Sequence, residues 1–229
     1  MGLSLNQRQW DRRHFIAVGF GTALAGLSPA GLAALPTPKP KTAKPKIILV
    51  VGDSLSAEYG LKRGTGWVAL LEKKLQSESI NAVVVNASIS GDTTSGGRSR
   101  LGALLEKHHP THVIIELGGN DALRGLPLPL SKDNLEQMTL AAKKTGARVL
   151  LLGMQVPPNY GKDYAAQFAA VFSGVAKNHK AALVPFMLKG IADAPDSLAL
   201  FQADRIHPKE ESHPQILANL WPELQKLLK

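Results

Sequence analysis

Five short apolar runs, separated by longer amphipathic stretches, constrain the fold of this chain more than any other feature. The runs occupy residues 47–51, 82–86, 113–117, 148–152 and 182–185. The first is apolar at every position and mostly β-branched, the pattern of a strand covered on both faces. The stretches at 66–79, 94–108, 131–145, 163–178 and 211–228 space their apolar residues as helices do. Trp67, Leu70, Leu71 and Leu75 mark the first of them, and Leu101, Leu104 and Leu105 the second. Ser131 is the expected N-cap of the third helix. Doubly covered strands alternating with helices predict one α/β domain, a three-layer α/β/α arrangement around a parallel sheet of about five strands. In such sheets, sites form beyond the carboxyl ends of the strands.

Three segments that follow strand ends carry chemistry, and a fourth lies before the last helix. The run Val50-Val51-Gly52-Asp53-Ser54 ends the first strand in a Gly-Asp turn and presents Ser54 as a candidate nucleophile, whose own N–H is a candidate oxyanion donor. Taken alone, such a serine reads as readily as a helix cap. Gly91, in Ser90-Gly91-Asp92-Thr93, lets the backbone approach a ligand and offer a second N–H, or simply turns the chain into a helix capped by Asp92 or Thr93. Asn120, in Gly118-Gly119-Asn120-Asp121, offers a side-chain amide as a third donor, or fills a left-handed turn. In Asp204-Arg205-Ile206-His207-Pro208 the three-residue spacing lets one turn hold the Asp204 carboxylate against the imidazole of His207, freeing the other ring nitrogen to take a proton from Ser54. The remaining candidates, His108, His109, His112, His179 and His213, have no comparable partner and read as surface or interfacial residues. No grouping has zinc-ligand spacing. It is the ordered combination that points to acyl ester or thioester hydrolysis.

Charge and composition bound the alternatives. Of the net charge of +9, residues 1–35 contribute +2 and the lysines Lys39, Lys41, Lys44 and Lys46 contribute +4, which leaves +3 on the remainder. A nearly neutral folded part argues against nucleic acid as a partner. The absence of cysteine removes disulfides, thiolate ligands and a cysteine nucleophile. Residues 1–35 place Arg12-Arg13-His14-Phe15-Ile16 before an uncharged Ala-, Gly- and Leu-rich stretch, the layout of a twin-arginine-like export signal, with cleavage expected near Ala33 and Ala34. Its Gly, Ser, Thr and Pro content makes it a poor membrane span, so no stable insertion is expected after cleavage. Residues 36–45, rich in Pro and Lys, read as an extended linker, and 46–229 as the folded domain. The expected location is periplasmic or secreted; oligomeric state is not written in the sequence.

The blocks Gly52-Asp53-Ser54-Leu55, Ser90-Gly91-Asp92-Thr93, Gly118-Gly119-Asn120-Asp121 and Asp204-x-x-His207-Pro208 resemble, in this order, those of the SGNH (GDSL-type) hydrolases. Glu116-Leu117-Gly118-Gly119-Asn120-Asp121-Ala122-Leu123-Arg124-Gly125 and Pro157-Pro158-Asn159-Tyr160-Gly161 are similar to the bacterial thioesterase I, lysophospholipase L1 and arylesterase branch. The resemblance covers about residues 46–225. It implies a flavodoxin-like sheet, a Ser54–His207–Asp204 triad, and an oxyanion hole from the N–H groups of Ser54 and Gly91 and the Asn120 side chain. It implies neither metal nor organic cofactor, and a small acyl ester or thioester as substrate. Arg205 departs from the branch, which has glycine there. The apolar content of residues 123–130 favours an acyl chain. The alternatives are a carbohydrate O-acetyl esterase on the same scaffold and a non-catalytic binding module.

Overall fold

The computed structural model describes residues 44–229. The expected export signal, and all but the last two residues of the expected linker, lie outside the described residues. Within them the chain runs β1 (Lys46–Gly52), α1 (Trp67–Ser77), β2 (Ala82–Asn86), α2 (Thr94–His108), β3 (His112–Glu116), α3 (Gly119–Leu123), α4 (Leu128–Lys144), β4 (Arg148–Leu152), α5 (Lys162–His179), β5 (Ala182–Val184) and α6 (His213–Leu228). Short 3-10 turns occupy Pro158–Tyr160, Ser197–Leu200 and Glu210–Ser212.

All five strands are parallel, in the order β2-β1-β3-β4-β5. This is the flavodoxin-like order, whose switch point lies between β1 and β3. The central strands are shielded almost throughout: Leu49, Val50, Val51, Val113, Ile114 and Leu150 to Leu152 are all buried. β2, at one edge, is only half-covered, and β5, at the other, has three residues, so the sheet leaves little open edge. Helices α1 and α6 pack together on one side, and α2, α4 and α5 pack side by side on the other.

Two local expectations need correction. The third predicted helix begins at Leu128, with Pro127 at its cap position and Pro129 in its first turn, not at Ser131. A proline fits there because the first helical N–H groups have no intrahelical acceptor. Ser131 instead sits inside α4 and donates to the buried Asp121 carboxylate. The Gly118-Gly119-Asn120-Asp121 string is not an open turn either. Gly118 takes φ +123°, and the chain winds at once into α3.

Candidate active site

Three chain segments build the site at the switch point. The first is the turn after β1. Ser56 and Ala57 N–H groups fold back onto the Asp53 carbonyl, at 3.2 and 3.0 Å, which projects Ser54 from the strand end. The next helix begins only at Trp67, so Ser54 caps no helix. The second is the short α3 after β3, which presents Asn120. The third is a loop between Phe201 and Pro208, closed by an antiparallel bridge between these two residues and by the Gln202 N–H donating to the His207 carbonyl at 2.8 Å.

These segments bring residues 153 positions apart into contact. His207 Nδ1 lies 2.7 Å from Asp204 Oδ2, and His207 Nε2 lies 2.8 Å from Ser54 Oγ. Asp204 Oδ1 also accepts the N–H groups of Ile206 (2.9 Å) and His207 (3.0 Å). Partial burial works against the Asp204 charge. The hydrogen bonds from His207 and Ile206 outweigh it and bring the carboxyl down to about 2. An ionised Asp204 must accept from Nδ1–H, which leaves Nε2 as the acceptor for the Ser54 hydroxyl.

The other predicted residues are Gly91, on the turn after β2, and Asn120, bonded to Asp53 beside Ser54. Gly91 has φ +78°, a conformation that costs a residue with Cβ about 1–2 kcal/mol. Its carbonyl accepts from Arg124 Nη2 at 2.7 Å, a bridge from the end of α3. Among the described residues, neither the Gly91 nor the Ser54 N–H has a hydrogen-bond acceptor. Asn120 Nδ2 donates to Asp53 Oδ2 at 3.0 Å, with a second amide N–H to offer. Among the described residues no His, Asp and Glu cluster could hold a metal ion.

Several contributors escaped the sequence reading. Gln202 Nε2 donates to the carbonyls of Tyr59 (3.0 Å) and Pro208 (3.1 Å), so it ties the histidine loop to the serine turn. The Tyr59 ring sits 4.4 Å from the imidazole of His207. Arg100, on α2, reaches the Ala87 carbonyl, the Gly52 carbonyl at 3.3 Å and the Asp92 carboxylate at 2.8 Å, and so clamps the ends of β1 and β2. Beneath the turn lies Glu116, the last residue of β3, with no exposed surface. Burial pushes its carboxyl well above the usual range, and the charge of Asp53 adds to the effect. The only sequence signal for it was a charge at the end of an otherwise apolar strand.

Two histidines expected at the surface are buried. His213 Nδ1 accepts the Trp67 N–H at 3.0 Å and so caps α1, while burial lowers its tendency to protonate. His112 bonds the Leu227 carbonyl through Nε2 at 3.0 Å and is likewise held toward its neutral form by burial. Both satisfy backbone groups; neither joins the site. Arg205 is exposed, with φ +59°, which explains why glycine suits this position.

The chain matches the GDSL-like Lipase/Acylhydrolase family over residues 50–213. It is 51% identical over 181 residues to Esterase TesA of Pseudomonas aeruginosa, covering 79% of this chain and 89% of that protein. It is 40% identical, also over 181 residues, to Thioesterase 1/protease 1/lysophospholipase L1 of Escherichia coli K12, with 79% and 84% covered. Among solved structures, a crystal structure of TesA superposes with a TM-score of 0.77 at 50% identity, covering 80% of this chain and 99% of that one. Esterase EstA from Pseudoalteromonas sp., inhibited by monoethylphosphonate, superposes with a TM-score of 0.74 at 39% identity, covering 80% and 98%. With the motif blocks in order, the fold matched and most of its length aligned, this chain belongs to the GDSL-like lipase/acylhydrolase family.

Proposed function

We propose that this protein hydrolyses carboxylic esters and thioesters through an acyl-enzyme on Ser54. The observation that carries this reading is the continuous hydrogen-bonded chain Asp204–His207–Ser54, with both links under 3 Å. His207 Nε2 takes the hydroxyl proton as Ser54 Oγ attacks the carbonyl carbon. The oxygen becomes an oxyanion facing the N–H groups of Ser54 and Gly91 and the free N–H of the Asn120 amide. The imidazolium, held by Asp204, protonates the departing alcohol or thiol. Water then attacks the acyl-enzyme with the same base, releasing the acid and restoring Ser54. Each oxyanion donor supplies about 3 kcal/mol of barrier reduction.

The surroundings favour an acyl chain over a sugar. Tyr59 (51% exposed), Ile89 (53%), Leu123 (49%) and Ile206 (45%) each lie against or within three residues of a site residue in the chain, and they leave apolar surface in solvent. The apolar 123–130 segment continues it with Leu130. The substrate is thus a small acyl ester or thioester. The twin-arginine-like leader supports export. No helix among the described residues is long and apolar enough to cross a membrane.

Ser54→Ala should abolish p-nitrophenyl ester hydrolysis and fluorophosphonate labelling while Tm holds. Unchanged turnover in this variant would overturn the mechanism. Turnover that rises from acetyl to octanoyl esters supports the acyl-chain reading, and a strict preference for acetylated sugars would replace it.

A further inference from the structure

Glu116 is a full carboxyl group sealed under the nucleophile turn, and the reaction as written does not use it. Its Oε2 accepts the Ser56 hydroxyl at 2.7 Å and the Asp53 N–H at 3.2 Å. Its Oε1 is buried and, among the described residues, meets no donor. The Glu116 carboxyl lies close enough to Asp53 for the aspartate charge to oppose its ionisation. Asp53 in turn accepts the Leu55 N–H at 3.0 Å through Oδ1 and the Asn120 amide at 3.0 Å through Oδ2. Even the glycine of the Gly52-Asp53-Ser54 turn is explained by this acid. A Cβ at residue 52 would lie 2.8 Å from Glu116 Oε2 and 2.7 Å from Ser56 Oγ.

We propose that Glu116 is a positioning residue for hydrolysis: from beneath the turn it holds the Asp53 backbone and carboxyl, and through Asp53 it fixes the Asn120 amide that faces the substrate carbonyl. The inference rests on the roles given above to Ser54, His207 and Asn120. Two adjoining buried carboxyl groups do not both ionise, so one keeps a proton. Glu116 is the one that keeps it, because it has no exposed surface and, among the described residues, its Oε1 has no donor beside it to stabilise a charge. The donors that reach Asp53, the Leu55 N–H on Oδ1 and the Asn120 amide on Oδ2, favour the aspartate as the anion. The anionic Asp53 then holds one N–H of Asn120 and turns the other toward the substrate. Removing the clamp should loosen a donor used only as negative charge develops, which lowers kcat and leaves KM.

The test compares Glu116→Gln with Glu116→Leu in purified enzyme on p-nitrophenyl butyrate. Glutamine keeps an acceptor for Ser56 and a donor for Asp53; leucine keeps neither. E116L should lose about 100-fold in kcat with KM within about twofold of wild type, and E116Q should recover at least about tenfold of that loss. Equal losses in E116Q and E116L at matched Tm, or a wild-type kcat in E116L, would overturn the proposal. Should E116L not fold, infrared spectra of wild type and E116Q decide. A protonated-carboxyl band present at neutral pH in wild type and missing from E116Q supports the clamp, and its absence from wild type refutes it. Fluorophosphonate labelling of the same preparations separates the two readings: an unlabelled wild type defeats the Ser54 mechanism itself, whereas labelled wild type with fully active E116L defeats only the role of Glu116.

Discussion

At the residue scale, the site rests on a few side chains whose partners decide their charge. Asp204 is held low by its donors, whereas burial pushes Asp53 up to about 6 against the opposing pull of Leu55, Glu116, Asn120 and His207. Two aspartates thus serve differently in the proposed mechanism: Asp204 is the anion behind the base, and Asp53 is the acceptor that aims the Asn120 amide. Asn120→Ala removes both the aimed donor and the partner of Asp53. It should lower kcat by about 100- to 1,000-fold with little change in KM, since a donor used mainly by the oxyanion acts on the transition state. Steady-state kinetics on p-nitrophenyl butyrate check this, and a change confined to KM would assign Asn120 to substrate binding instead. The meeting of Ser54, Asp204 and His207, and the place of Asn120 beside Asp53, could be expected from the sequence because the proposed chemistry is written in residue type and local spacing. Glu116, Gln202 and Tyr59 could not. Their meaning comes from contacts spanning 60 or more positions, as in the Ser56–Glu116 and Gln202–Tyr59 hydrogen bonds.

At the element scale, the strands and helices place the two glycine-bearing loops with little tolerance. α2 passes close to Leu117, the residue after β3, and to Met138 of α4 because Gly97 has no side chain. A Cβ there would stand 2.2 Å from Leu117 Cδ1 and 3.3 Å from the Met138 sulfur. Leu117 immediately precedes Gly118-Gly119-Asn120, so this contact joins helix packing to the loop that carries the proposed oxyanion donor. Gly97→Ala should destabilise the fold by about 1–3 kcal/mol through overpacking. It should also lower kcat, as the displaced Leu117 moves α3. Urea denaturation with parallel kinetics tests both, and an undiminished denaturation midpoint would show that α2 can shift freely. The same elements show what patterning can and cannot predict. The apolar runs identified all five strands, since a sheet covered on both faces excludes polar residues from its centre. The start of α4 was missed because the Ser131 hydroxyl is engaged by Asp121, which also accepts from Thr94, and so holds α2, α3 and α4 together. A serine that caps a helix and a serine that satisfies a buried carboxylate are the same letter until the chain is folded.

At the scale of the whole molecule, the buried acids set how stability depends on pH. Glu116 and Asp53 have folded pKa values above their unfolded values of 4.5 and 3.8, so the native state holds protons that the unfolded chain releases. Their stabilising contribution is complete below those unfolded values and is lost as pH rises, for Asp53 through about 6 and for Glu116 through its own raised value. Asp204 has the opposite sign: its contribution is present above 3.8 and is lost as pH falls toward about 2, and its exposure to solvent weakens it. Above their unfolded values the slope from these three groups therefore comes from the buried pair, and stability should decline with rising pH by up to about 1.4 kcal/mol per pH unit for each group still bearing its extra proton. Glu116→Gln removes one titrating group and keeps the shape of the other. The Tm of E116Q minus that of wild type should thus become more positive as pH rises from about 5, for as long as folded Glu116 keeps its proton. Thermal melts across that range measure it. Curves that stay parallel would mean that Glu116 ionises in the folded protein where it does in the unfolded chain, and the nucleophile turn would then stand over an anion.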